Sequence, residues 1–204
     1  MISNLAYIHP DAKIGNNVTV EPFAYIAGDV VIGDDCWIGP GAVIHDGARI
    51  GKGCRIHTAA SVSCLPQDLK FAGEVTTAEI GDWVVIGGHA AIHQWTRIGD
   101  HAMIQGGALL GQDAPPFVIV RNDTMRFAGI NKIGLSRRGF TPERIGEIHD
   151  ACRILFQSGL NYMSGCEEVE KQVPQSKERD ELVRFIRESK RGIIKPYESV
   201  SKEE

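Results

Sequence analysis

An aliphatic side chain recurs at every sixth position through the first half of this chain. Counting from Ile8, the series runs Ile14, Val20, Ile26, Ile32, Ile38, Ile44, Ile50, Ile56 and Val62. It resumes in the same phase at Ile80, Ile86, Ile92, Ile98, Ile104 and Leu110. A period of six fits neither a 3.6-residue helix nor a simple hairpin strand. It fits an all-β solenoid, a parallel β-helix of short strands joined by tight corners, built from hexapeptide repeats. Strand alternation turns each aliphatic inward and its immediate neighbours outward.

A second series, four residues after each aliphatic, is small: Ala24, Val30, Cys36, Ala42, Ala48, Cys54 and Ala60, then Val84, Ala90, Thr96, Ala102 and Ala108. Small side chains are needed where three walls converge on a narrow axis. Glycine commonly follows the aliphatic, as at Gly15, Gly33, Gly51, Gly81 and Gly99. The expectation is that it serves corners requiring positive φ.

A solenoid has open ends and needs caps. Residues 1–140 are expected to form the β-helix and residues 141–204 an α-helical C-terminal domain. The latter holds 24 of the 48 charged residues and four of the 23 glycines. Thr141-Pro142-Glu143 reads as a helix start, with a hydroxyl N-cap and proline at the first helical position. Ile145, Ile148, Cys152, Leu155 and Phe156 make its apolar stripe, and Gly159 its stop. Ser164 to Glu167 reads as a capping box opening a second helix that ends before Pro174. Residues 176–191 read as a third, closed by Gly192, with fraying expected after Pro196.

The net charge of -4 and the absence of a clustered basic face argue against a nucleic-acid partner. No apolar run approaches the ~18 residues of a membrane span, and Met1-Ile2-Ser3-Asn4 does not open like a secretory signal. Five cysteines without a CxxC pair read as reduced thiols, hence a cytoplasmic setting. Cys36 and Cys54 fall on the small inward series and read as packing. Cys64 shows no activating partner nearby in sequence. No metal or cofactor is expected.

The long break in phase, Ser63 to Thr77, is where chemistry would be mounted on a regular tube. It carries Asp68, Lys70 and Phe71. His9, His45, His57 and His93 each follow an aliphatic and should face outward, where a histidine can act as general base or meet a neighbouring subunit. His93 stands out because Gln94 and Trp95 follow it. Joint metal ligation by His89 and His93 is disfavoured, since four extended residues span roughly 13 Å. Arg137 and Arg138, beside a helix start, suit an anion, because guanidinium groups pair bidentately with phosphate.

The loop Gln67-Asp68-Leu69-Lys70-Phe71-Ala72-Gly73-Glu74, the His93-Gln94 turn, Pro115-Pro116-Phe117-Val118 and the linker from Asn131 to Phe140 together resemble one family. It is the acyl-[acyl-carrier-protein]–UDP-N-acetylglucosamine O-acyltransferases, which perform the first step of lipid A synthesis. The resemblance covers nearly the whole chain. It implies a left-handed parallel β-helix, against the usual right-handed crossover, and a homotrimer with sites between subunits. It implies acyl transfer from acyl carrier protein to the 3-hydroxyl of UDP-N-acetylglucosamine. Asp68 and Lys70 would contact the acceptor, and His93 and Gln94 would line the cleft. Asn131, Arg137 and Arg138 would bind the nucleotide or the carrier's phosphopantetheine arm.

The chain departs from that family in the middle. Members carry further coils with a His-x-x-His-Asp stretch that holds the catalytic base, and a glycine amide for the oxyanion. Here Ala78-Glu79-Ile80-Gly81-Asp82 leads directly to Trp83 with the phase intact, as if whole coils had been removed in frame. His93 is then the one candidate base. Two other readings stand beside acyl transfer. One is a catalytically silent β-helix that binds sugar nucleotide or carrier protein. The other is a zinc-dependent hexapeptide lyase of the γ-type carbonic anhydrase kind, which would need histidines clustered at a subunit junction.

Overall fold

The computed structural model describes residues 1–64, 71–122 and 125–196. Strands of two to four residues stack into three sheets around a common axis. The first sheet contains Tyr7–Ile8, Tyr25–Ile26, Val43–Ile44, Ser61–Cys64, Ala91–His93 and Leu109–Leu110. The second contains Lys13–Ile14, Val31–Ile32, Ala48–Ile50, Ala78–Ile80 and Arg97–Ile98. The third runs from Thr19–Val20 through Trp37–Ile38, Arg55–Ile56, Val85–Ile86 and Met103–Ile104 to Val118–Val120, then Phe127–Ile130. All pairings are parallel except the last, where Val118–Val120 and Phe127–Ile130 form an antiparallel pair that ends the stacking.

Val43 pairs with Ser61, so one turn of the tube takes eighteen residues. Ser61 pairs with Ala91, thirty residues on. The difference of twelve is two hexads, which is why the phase survives the excursion that begins after Cys64. Inward positions are filled as the period predicts. Ile26, Ile38, Ile44, Ile56, Ile86, Ile92 and Ile104 are fully enclosed, and Ala42, Ala48, Cys54, Ala60 and Thr96 are enclosed with them. Ile8, Ala12 and Ile14 are only partly covered, because the first coil has one neighbour. The N-terminal ammonium crosses to Val18 O at 2.7 Å, and Ile2 bridges Val20.

Glycine's role at the corners differs from the expectation. The glycines that follow the aliphatics do not have positive φ. Except at Gly111, they are selected by the closeness of neighbouring atoms, chiefly of the next coil: a Cβ on Gly51 would sit 2.5 Å from Asp82 Oδ1, and one on Gly99 would sit 2.4 Å from Pro116 N. Left-handed backbone falls two residues later, largely on other types, among them Asn17, Asp35, Ala59, Trp83 and His101. The stacked coils hold those residues there against a cost of order 1–3 kcal/mol each.

Gly47 is a true left-handed glycine, at φ 83°. The returning excursion closes on it, since Ala78 N donates to Gly47 O at 3.0 Å and an added Cβ would meet Thr76 O. Gly47→Ala is therefore expected to cost about 1–3 kcal/mol. Thermal unfolding checks it, and an unchanged midpoint would count against this anchoring.

The helices follow. α1 is Lys132–Arg137, α2 Pro142–Gln157, α3 Tyr162–Gln172 and α4 Lys177–Arg187. α1 lies upstream of the expected helical boundary, inside the linker. α2 starts as its sequence predicts, with the Thr141 hydroxyl accepting from Arg144 N at 3.4 Å. α3 begins earlier than expected: Asn161, not Ser164, is its N-cap, accepting from Ser164 N at 3.0 Å. α4 stops at Arg187, short of Gly192. The segment after it returns to the coil, burying Ile193 and Ile194 and bridging Asp113 and Arg126. The fraying expected after Pro196 lies outside the described residues. Among those described, no helix is long and apolar enough to cross a membrane.

Coil and cap meet through aromatic rings. Phe127 stacks on Phe156 at 4.3 Å, and Tyr162 meets Phe156 edge-on at 5.7 Å. His101 lies against Phe117 and Phe140. Burial, and then the Arg138 guanidinium, push its imidazole down to about 4. An unfolded His101 would protonate near 6.5, so the folded form loses ground as pH falls from 6.5 and the loss levels off below about 4. Glu181 works the other way, since burial raises its carboxyl to about 7 and folding then improves as pH falls from there toward 4.5. Because the two groups oppose each other over this range, His101→Gln is expected to leave the Glu181 gain unopposed, so that its melting temperature rises relative to the parent's as pH falls from 6.5 to 4. Parallel profiles for parent and variant would show that His101 carries no such linkage.

Candidate functional site

His93 ends a strand of the first sheet and is half-buried at the following corner. Its Nδ1 lies 2.8 Å from Gln94 O and 2.9 Å from an Nη of Arg191. A guanidinium only donates and a carbonyl only accepts, so Nδ1 can satisfy one of them at a time. With the proton on Nδ1, the carbonyl is satisfied and Nε2 keeps its lone pair, the form a general base needs. With the proton on Nε2, Arg191 is satisfied instead. Arg191 is fixed by donating from Nε to Gly111 O at 2.6 Å. Sequence reasoning missed it, because it lies in the returning tail where no period marks it.

Gln94, expected to line a cleft, is only 4% exposed, and its Oε1 has no partner among the described residues. Within one chain it does not face an open groove. Asp68 and Lys70 lie outside the described residues.

Asn131, Arg137 and Arg138 come together on another face. The outward column of the third sheet, Arg55, Val85, Met103 and Ile119, is flanked by Ile130 and α1, leaving a groove of about 790 Å³. Its floor is apolar. Its rim carries Arg55, His57, Lys132, Arg137 and Arg138. Asn131 is buried and employed at both ends of its amide. Its Oδ1 accepts from Gly134 N at 3.2 Å as the N-cap of α1, and its Nδ2 donates to His101 O at 2.9 Å.

The arginine pair differs from expectation. Arg137 occupies the last turn of α1 and Arg138 is its C-cap, so both sit at a helix C-terminus, where a cation is favoured. Arg138 donates to Trp83 O at 2.9 Å and covers the Trp83 ring at 5.7 Å. Its Nη1 is buried with no partner among the described residues. Arg137 is exposed on the rim. Arg55 was legible but unread: it precedes an aliphatic, and eighteen-residue spacing places it in the same outward column as Trp37.

His93 and the basic groove thus occupy different faces of one chain. Among the described residues, no three His, Cys, Asp or Glu side chains stand together to hold a metal ion.

A family model for UDP-N-acetylglucosamine O-acyltransferase, domain 2, matches residues 113–194, and one for bacterial transferase hexapeptide repeats matches residues 29–63. Similar curated proteins include the acyl-[acyl-carrier-protein]–UDP-N-acetylglucosamine O-acyltransferase of Burkholderia lata, 37% identical over 135 residues. That match covers 64% of this chain and 50% of the relative. The Myxococcus xanthus protein of the same description is 36% identical over 114 residues, covering 56% and 44%. The chain spans about half the length of the curated relatives it matches. The solved structure of a UDP-N-acetylglucosamine acyltransferase from Bacteroides fragilis is 38% identical, with a TM-score of 0.53, covering 96% of this chain and 100% of that one.

Proposed function

Because the chain belongs to the UDP-N-acetylglucosamine O-acyltransferase family, we propose that it transfers an acyl group from acyl carrier protein to the 3-hydroxyl of UDP-N-acetylglucosamine. That reaction opens lipid A synthesis, in the cytoplasm. The observation that carries the reading is the groove on the third sheet. An apolar floor suits a hydrocarbon chain, and a rim of Arg55, Lys132, Arg137 and Arg138 suits phosphate, the two features of an acyl-phosphopantetheine donor.

In this reading His93 Nε2 removes the proton from the sugar hydroxyl, which attacks the thioester carbonyl. The tetrahedral intermediate expels the carrier thiolate, which takes the proton back from the imidazolium. By the family resemblance, Asp68 and Lys70 contact the sugar and Gln94 lines the cleft between copies. His93 of one copy meets the groove of the next in a homotrimer.

The missing His-x-x-His-Asp stretch favours a second reading, a catalytically silent β-helix that binds the sugar nucleotide or the carrier protein. One experiment separates the two: thioester release from acylated carrier protein, with and without UDP-N-acetylglucosamine, beside calorimetric binding of the nucleotide and of the carrier protein. Release that depends on the nucleotide is the expected result. Binding without turnover would establish the silent reading, and neither would overturn both.

A further inference from the structure

The first sheet carries a second set of reactive side chains, between His45 and the start of the excursion. A bulge interrupts the ladder opposite Ile92 and His93. Ser63, buried at φ 61°, takes up the additional residue and donates its hydroxyl to Asp46 O at 2.8 Å. Bulges re-aim the side chains beside them. This one brings Cys64 onto the outward face already occupied by Ser61, with Sγ 3.0 Å from Ser61 Oγ. Ser61 Oγ in turn lies 3.1 Å from His45 Nε2. Thiol, hydroxyl and imidazole form one unbroken hydrogen-bonded line.

On its other side Cys64 borders a cavity of about 360 Å³, shared with Ala91, His93, Leu109, Leu110 and Met125. That lining is largely hydrocarbon. Burial lowers the proton affinity of His45 below the usual histidine value, despite the nearby Asp46 carboxylate, so the ring is neutral and able to accept a proton near neutral pH. His93, the ladder partner of Cys64, also borders this cavity, and its Nδ1 lies 2.9 Å from the Arg191 guanidinium.

We propose that Cys64, Ser61 and His45 form a thiol-activating relay that takes an acyl group from a thioester onto Cys64. The thiol proton passes to Ser61 Oγ as the Ser61 proton passes to His45 Nε2. The Cys64 thiolate attacks the thioester carbonyl, a new C–S bond forms, and the original C–S bond breaks. The departing thiolate recovers the proton from His45. No electrons are exchanged and no other reactant is needed. The cavity and the relay point to an acyl electrophile with a hydrocarbon tail, and the choice of a thioester rests on the family reading.

The test exposes the intact protein to the decanoyl thioester of N-acetylcysteamine without sugar nucleotide, so its outcome is independent of transfer to UDP-N-acetylglucosamine. One decanoyl adduct is expected by mass spectrometry, mapped to Cys64 and released by neutral hydroxylamine. The buried Cys36, Cys54, Cys152 and Cys166 serve as internal controls. Cys64→Ala should abolish the adduct, and Cys64→Ser gives the same readout should the alanine variant not fold. His45→Gln, which keeps a hydrogen-bonding amide near Ser61, should slow acylation by at least about 10²-fold. No adduct in the parent, an adduct on Ser61 or another cysteine, or an unchanged rate in His45→Gln would each overturn the proposal.

Discussion

Replacing His93 with alanine is expected to slow nucleotide-dependent acyl release by about 10²–10⁴-fold, the usual contribution of a positioned general base. The reason lies in the ring's two ends. Nδ1 is held between Gln94 O and Arg191, leaving Nε2 as the nitrogen that can meet a substrate hydroxyl. The loss should fall on kcat, with little change in KM, because the ring is asked to act on the proton and not to hold the sugar. The His93 side chain is half-exposed, so melting should barely move. Arg191→Gln offers a companion measurement: without the guanidinium, the Gln94 carbonyl keeps the proton on Nδ1, and nitrogen NMR should show that tautomer dominant. A fall of less than tenfold in His93→Ala would place the base elsewhere.

Replacing Phe156 with alanine is expected to cost about 3–5 kcal/mol, the range for a buried aromatic truncated to a methyl group. Phe156 is 2% exposed, stacked on Phe127 of the terminal hairpin and met edge-on by Tyr162. It therefore joins coil, α2 and α3 at one point. Tyr162 also donates its hydroxyl to Ile194 O at 2.6 Å, tying in the returning tail. The unfolding curve in denaturant should shift to a lower midpoint, and limited proteolysis should cut first within the helical region. A loss below about 1 kcal/mol would show that the cap is docked by other contacts, such as Phe185 of α4, whose ring lies 4.7 Å from the Arg97 guanidinium of the second sheet.

The tube was legible because its period is strict. Every sixth residue between Ile26 and Leu110 that the repeat assigned to the interior is enclosed, and the small series is enclosed with it. Composition also marked the helical end, and the Thr141 start of α2 was readable from local chemistry alone. The reason for glycine after the aliphatics was not, because the crowding comes from the coil above, eighteen or more residues away. The start of α3 was missed because Asn161 and Ser164 both belong to residue types that cap helices, and only geometry chooses between them. The handedness of the coil came from resemblance and not from the repeat.

The candidate site was read less completely. His93, Arg137 and Arg138 were singled out from the sequence, but their separation onto two faces depends on which sheet each corner follows. Arg191 and the Cys64–Ser61 contact rest on a tail that folds back and on a bulge. Neither feature leaves a periodic trace.

A full turn of eighteen residues, and an excursion whose surplus is two hexads, mean that this scaffold can be edited in whole units. Segments may be lost or gained between Ile80 and Ile86 while every remaining strand keeps its old neighbour type and the plug at the far end keeps its seat. Architecture and reactivity are therefore separable in such a tube: removing a whole turn would keep the first and take away the functional groups that the turn carried.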